Sequence, residues 1–258
     1  MGVVNVTPDS FSDGGALPGA AAAVAHARRL VAEGADLIDV GGESTRPYAE
    51  PVSAAEELRR VVPVVEQIAD LEVSVDTSKA AVARAALDAG ASYVNDVSAF
   101  RADPDMAALV AEHGARCCLM HMLGEPRTMQ DDPRYAGDVV SEVKAFLAER
   151  MAFAIAEGVP EERIELDPGI GFGKTVAHNL ALIDRISELA ALGRPLVVGA
   201  SRKGFLGTLT GREVPAERVF ATVAVNVLAF ERGASVFRVH DVAATRDALL
   251  TATATLRR

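Results

Sequence analysis

Eight times along this chain a short apolar, β-branched run closes on an amide, carboxylate, hydroxyl or cationic residue, and a stretch with helical spacing separates each run from the next. The runs are Gly2-Val3-Val4-Asn5, Leu37-Ile38-Asp39-Val40, Val73-Ser74-Val75-Asp76, Tyr93-Val94-Asn95-Asp96, Cys118-Leu119-Met120-His121, Ile164-Glu165-Leu166-Asp167, Leu196-Val197-Val198-Gly199 leading to Ser201, and Val236-Phe237-Arg238-Val239-His240. Strands this rich in Val, Ile and Leu are covered on both faces, as parallel strands flanked by helices are. Parallel neighbours need a crossover of a dozen or more residues, usually a helix, and the intervening stretches supply it. The expected fold is therefore α/β: a closed (β/α)8 TIM barrel, one domain over residues 1–258, with long loops after strands one and two. An open doubly wound sheet would carry a glycine-rich turn after strand one. Here that position holds Asn5-Val6-Thr7-Pro8-Asp9-Ser10-Phe11-Ser12-Asp13-Gly14-Gly15.

The helical stretches have legible ends. Over 18–34, Ala20, Val24, Ala27, Leu30 and Val31 share a face and Gly34 follows as a cap. Ser53 with Glu56 three residues on has the form of a capping box opening the second helix. Helices over 78–89, 104–113 and 138–157 each run into a glycine, and Val140, Val143, Leu147, Met151 and Ala154 form the buried stripe of the last of these. Further helices are expected over 176–192, 216–232 and Val242–Leu256.

Composition narrows the function. A length of 258 residues suits a single α/β barrel, which commonly runs to about 200–250. A net charge of −10 disfavours a nucleic-acid-binding surface, which needs clustered Lys and Arg. No apolar stretch approaches the roughly 18 residues of a membrane span, and no charged leader precedes strand one, so a cytoplasmic protein without membrane partners is expected. The two cysteines, Cys117 and Cys118, are adjacent and point to opposite faces of a strand, which gives neither a disulfide nor a zinc cage.

In a barrel the loops at the carboxyl ends of the strands build the site, so all the polar strand ends face one mouth. Each alone has a plain reading as a loop-starting or capping residue. Together, Asp76, Asn95 and Asp167 are polar groups in a dry barrel that need partners, and a flat heterocycle rich in N–H donors would satisfy them. A carboxylate metal cluster fits less well, because only His121 and His240 lie at strand ends. Arg46, Lys203 and Arg238 with His240 suggest a pyrophosphate or carboxylate. Ser201-Arg202-Lys203-Gly204 precedes a short apolar helix at 205–209 whose N-terminus suits an anion; Arg202 itself reads as a solvated surface charge. The glycine- and proline-rich loops 7–19, 41–51 and 168–174 read as lids, with Phe11 and Phe172 as apolar walls. Gly169-Ile170-Gly171-Phe172-Gly173-Lys174 lacks the spacing of a phosphate-binding P-loop.

The loop after strand one, Gly42-Glu43-Ser44-Thr45-Arg46-Pro47, Asp76-Thr77-Ser78, Asn95-Asp96-Val97, Asp167-Pro168-Gly169-Ile170-Gly171-Phe172-Gly173-Lys174, Ser201-Arg202-Lys203 and Arg238-Val239-His240-Asp241 closely resemble the dihydropteroate synthases, a family of pterin-binding TIM-barrel enzymes, in the same order and across nearly the whole chain. The resemblance implies an enzyme of folate biosynthesis that couples 6-hydroxymethyl-7,8-dihydropterin pyrophosphate to p-aminobenzoate, with Mg²⁺ as cofactor, in a homodimer. It implies that Asp76, Asn95, Met120, Asp167, Lys203 and Arg238 hold the pterin, and that Asn5, Arg238 and His240 hold the pyrophosphate, Asn5 with the metal. Phe11, Thr45, Arg46, Pro47, Phe172 and Ser201 match the aminobenzoate side, and Lys203, Asp167, Arg238 and Asp13 the catalytic set. Two departures stand out: Tyr48 where the family usually has glycine, and Ala99-Phe100 in place of a glycine pair. A pterin-binding methyltransferase domain acting between methyltetrahydrofolate and a corrinoid protein would share the pterin acids but not the pyrophosphate set. A non-catalytic pterin-binding paralogue is the other alternative.

Overall fold

The computed structural model describes residues 1–6, 16–45 and 49–256, the side chains of 16–18 excepted. The expected site residues Phe11, Asp13, Arg46 and Pro47, and the departure at Tyr48, lie outside the described residues.

Among the described residues eight strands alternate with helices: β1 Gly2–Asn5, β2 Ile38–Gly41, β3 Val73–Asp76, β4 Tyr93–Asp96, β5 Arg116–Met120, β6 Ile164–Asp167, β7 Val197–Val198 and β8 Val236–Phe237. The helices are α1 Ala16–Ala32, α2 Ala54–Gln67, α3 Ala80–Asp88, α4 Met106–His113, α5 Val139–Ala156, α6 Val176–Asp184, α7 Ile186–Ala190, α8 Gly204–Thr210, α9 Val219–Glu231 and α10 Val242–Leu256. Strands β1 to β6 pair in sequence order, and β7 pairs with β8, all parallel. Parallel bridges Leu166↔Leu196 and Gly2↔Val239 join the two sheets at both edges. The ring is thereby closed, and the expected TIM barrel is what the chain forms.

The period of two sorts the strand residues. Val4, Ile38, Val40, Val73, Val75, Val94, Leu119, Ile164, Leu166 and Val198 join the large core under the helices. The alternate residues face the axis. At the amino-terminal end these are Leu37, Tyr93, Cys118 and Val197, a separate apolar plug beneath which Tyr93 and Arg116 both bond Glu165. At the other end they are polar. Helix ends follow the sequence closely: Asp138 caps α5 by accepting from Ser141 N–H, and α4 stops on Gly114 in the left-handed conformation, φ 59°.

Three expectations are corrected. Ser53 Oγ does accept from Glu56 N–H at 3.3 Å, but the Glu56 carboxylate turns to Arg59 and Arg60 instead of completing a capping box. The expected helix over 176–192 breaks at Arg185 into α6 and α7, and its guanidinium bonds Asp138 and Glu188. The helix expected over 216–232 opens with a 3-10 turn, Pro215–Arg218, before α9. Beside the mouth, Ala99 and Phe100 are both left-handed, φ 53° and 62°, a conformation costing a non-glycine residue about 1–2 kcal/mol. Asp96 holds the turn by accepting from Ser98 and Phe100 N–H at 2.7 and 2.8 Å, and Arg150 Nε donates to Ala99 O at 2.9 Å.

Candidate active site

The inward residues at the carboxyl ends of β2, β3, β4 and β6 converge. On β3, Val73 and Val75 turn to the helices while Ser74 and Asp76 turn inward. Asp39, on β2, is 0% exposed and is the hub: its Oδ1 accepts from Ser74 Oγ at 2.6 Å, and its Oδ2 from Asn95 Nδ2 at 3.2 Å and Arg238 Nε at 2.6 Å. Arg238 spans two strands, for its second arm donates to Asp76 Oδ2 at 2.6 Å. A guanidinium fork held by two carboxylates is rigid, and its charge is met by hydrogen-bonded counter-ions, as that of a half-buried cation has to be. Burial works against the Arg238 charge, but Asp39 and Asp76 raise its pKa further. Burial also pushes the Asp76 carboxyl up to about 7, against the pull of Arg238 and with help from Asp39.

Asp167 closes β6, and its Oδ1 accepts from Gly169 N–H at 2.6 Å. Burial raises its pKa, with Lys203 opposing. Lys203, just before α8, is half-buried; its Nζ donates to Ile170 O and stands 4.1 Å above the Phe172 ring. Burial brings this ammonium down to about 7, Asp167 resisting and Arg238 adding to the fall. Gly169 has to be glycine, since at φ +67° an added Cβ would stand 1.8 Å from His121 O. Met120 packs with Val97, Met122 and Met129, and Phe172 lies against them as an apolar wall.

Ser201 and His240 form a pair across β7 and β8: Ser201 Oγ lies 2.9 Å from His240 Nδ1 and accepts from His240 N–H at 3.1 Å. Asn5 ends β1, half-buried and in register with Gly41, and Thr45 is half-buried after β2. Arg202 departs from the surface-charge reading. It makes a two-armed ion pair with Asp241, at 2.9 and 2.5 Å, and its own backbone is left-handed at φ 59°. The expected pterin set, Asp76, Asn95, Met120, Asp167, Lys203 and Arg238, is thus brought to one mouth.

Three residues were not anticipated. Asp39 stands two positions before the end of β2, and period-two alternation alone puts it on the inward face with the strand-end acids. Lys79 bonds both Glu43 and the buried Glu57 at 2.6 Å, while Glu43 Oε1 accepts from Val52 N–H at 2.8 Å, so one carboxylate ties the two ends of the loop after β2. Lys174, inside a loop read only as a lid, is buried against His121. Carboxylates and an amide beside two fixed cations can grip a flat donor-rich ring on one side and stabilise a departing anion on the other.

Residues 1–240 match the model of a family described as pterin binding enzymes. The dihydropteroate synthase of Escherichia coli strain K12 is 46% identical over 259 residues, covering 99% of this chain and 91% of that protein. Among solved structures, Xanthomonas albilineans dihydropteroate synthase with 4-aminobenzoic acid is similar at TM-score 0.94 and 50% identity, over 100% of this chain and 93% of the other. The same organism's enzyme in complex with 7,8-dihydropteroate is similar at TM-score 0.90 and 48% identity, with the same coverage.

Proposed function

The chain belongs to the pterin-binding enzymes, among the dihydropteroate synthases, and we infer that it joins 6-hydroxymethyl-7,8-dihydropterin pyrophosphate to p-aminobenzoate, releasing pyrophosphate and 7,8-dihydropteroate. The observation that carries the assignment of the site is the Arg238 guanidinium clamped between Asp39 and Asp76, with Asn95 bonded to the same Asp39 and Lys203 set among Asp167, Arg238 and Asp76. Asp76, Asn95 and Asp167 take the N–H groups of the pterin, Met120 lines its pocket, and Lys203 and Arg238 lie along it. Arg238, His240 and Asn5 receive the pyrophosphate. Phe172, Ser201 and Thr45, with Phe11, Arg46 and Pro47 of the long loops, form the aminobenzoate side, and Asp13 completes the catalytic set.

In the reaction the carbon–oxygen bond at the pterin methylene breaks and its electron pair leaves with pyrophosphate. The aryl amine then forms the carbon–nitrogen bond and gives up a proton. Asp167 and Asp76 favour positive charge developing on the pterin, while Lys203 and Arg238 offset the charge of the departing group. The weakly basic amine needs positioning more than a strong base. Asn5 offers one neutral amide oxygen, and among the described residues its side chain is not tied up in another hydrogen bond. That suits Mg²⁺, which keeps several waters and takes phosphate oxygens with few protein ligands. Bound there, Mg²⁺ would neutralise pyrophosphate charge.

The test is product formation from the two substrates. Dihydropteroate is expected with Mg²⁺, and a chelator is expected to abolish it until the metal is restored. Pterin binding without turnover would instead mark a binding protein, and undiminished turnover in chelator would remove the metal. The protein works as one barrel domain in the cytoplasm; no helix among the described residues is long and apolar enough to cross a membrane. It does so as a homodimer, for which the apolar side chains of α9 and α10 give support: Phe220 is 88% exposed and Leu228 is exposed on α9, and Leu250 and Leu256 are exposed on α10, which packs against α9. Light scattering should then give twice the chain mass, and a monomer would refute the pairing.

A further inference from the structure

Lys174 is 3% exposed, a burial that lysine tolerates only when its charge is matched by hydrogen bonds. Its Nζ lies 2.9 Å from His121 Nδ1 and donates to Phe172 O at 3.0 Å and His121 O at 3.4 Å. An ammonium has three N–H groups, and three acceptors surround it. The same loop is fixed by side chains outside it: Gln130 donates to Gly171 O, Asn179 accepts from Gly171 N–H, and Tyr135 donates to Gly173 O. Its opposite side presents Ile170 O and the Phe172 ring to Lys203.

We propose that Lys174 is a positioning residue for the transfer reaction: by holding Phe172 O and both acceptors of His121, its ammonium sets the 168–174 loop on which the Lys203 ammonium rests. The inference rests on the reading of Lys203 and Phe172 as groups of the reactive site. The charged and titratable groups facing the pair are Asp167 and Lys203 toward the mouth, Arg101 toward His121, Tyr135 beside the His121 ring, and His178 behind Tyr135. Burial takes Lys174 down to about 7, Asp167 resisting and Lys203 adding to the fall. Burial and the Lys174 charge press His121 down to about 3, so the ring remains a neutral acceptor. Above its titration Lys174 has two N–H groups and a lone pair for the same three partners, and the loop loses a tie.

The experiment compares wild type with Lys174→Met, which keeps an unbranched chain and removes the charge. Folding is checked by circular dichroism, turnover by dihydropteroate formation, and the Lys203 titration by NMR of lysine labelled at Cε, the Lys203 signal being assigned by its loss in Lys203→Ala. The variant is expected to fold, to lose about tenfold or more in kcat/KM for the pterin pyrophosphate, and to titrate Lys203 at higher pH, because a neighbouring positive charge has gone. The alkaline limb of kcat/KM should move with it. Unchanged kcat/KM, or a Lys203 titration that stays in place, would overturn the proposal. A wild type that folds and makes no dihydropteroate would instead sink the functional reading, while the NMR titration still tests the link from Lys174 to Lys203. Should Lys174→Met fail to fold, His121→Leu removes one acceptor and is expected to lower kcat/KM by about fivefold. His121→Asn, which keeps an acceptor there, should restore it; equal activity in both variants would count against the tie.

Discussion

Lys203→Ala is expected to lower kcat/KM by about a thousandfold, the upper end of what one preorganised charge contributes, while the fold survives. The ammonium has no structural partner whose loss would unravel a helix: it donates to Ile170 O and stands over Phe172, and α8 takes no side-chain cap from it. Its depressed pKa reinforces this. A lysine whose folded value lies near 7, below its ordinary 10.5, binds its proton less readily in the folded than in the unfolded chain. The penalty is fully present below about 7 and is relieved as pH rises from there toward 10.5. Wild-type stability should therefore climb with pH over that window, and Lys203→Ala should climb less steeply while being at least as stable at pH 6. Lys174, whose value is lowered in the same sense, adds to the remaining slope, while the Cys117 and Cys118 thiols, raised by burial, subtract from it above their ordinary value of 9.0. Thermal melts across the window check the stability half and steady-state kinetics the other. A variant with near-normal kcat/KM would take Lys203 out of the site.

The distribution of what the sequence disclosed follows from the period of each element. Strand ends were legible because alternation and burial operate over a few residues: Val73-Ser74-Val75-Asp76 states which side chains face the helices and which the axis. The break between α6 and α7 was not, since Leu182, Ile183, Ile186 and Leu189 continue an unbroken apolar spacing and all are buried. Its marker is the Arg185 pairing with Asp138, 47 residues earlier. Arg202 misled for the same reason, because Asp241, its partner, becomes a neighbour only through the β7–β8 pairing. The Lys174–His121 pair joins loops 53 residues apart. Most hidden was the Arg238–Asp39 bond, between residues 199 apart that meet only because the ring closes. Family resemblance supplied roles for the residues expected to meet substrate; it was silent on the residue that holds them.

That residue is Asp39, and Asp39→Ala is expected to cost about 3–5 kcal/mol of stability, the range for removing one partner of a buried ion pair. Three donors lose their acceptor together: Ser74 Oγ, Asn95 Nδ2 and Arg238 Nε. Arg238 is left with Asp76 alone, and a guanidinium displaced by an ångström costs about a hundredfold in kcat/KM. The electrostatic consequence separates this account from general loss of packing. Asp39 raises the Asp76 pKa and Arg238 lowers it; with Asp39 gone, Arg238 turns wholly to Asp76 and the carboxyl titrates below its wild-type value of about 7. In the wild type, a carboxyl raised from 3.8 to about 7 favours the folded state below 3.8 and loses that contribution as pH passes through 7. Asp39→Ala should flatten this fall in stability and move the acid limb of kcat/KM to lower pH. Asp39→Asn, which keeps an oxygen for Arg238 and Asn95 but drops the charge, should shift the limb in the same direction with a smaller stability loss. An acid limb that stays in place in both variants would mean that Asp39 supports the barrel without tuning its mouth.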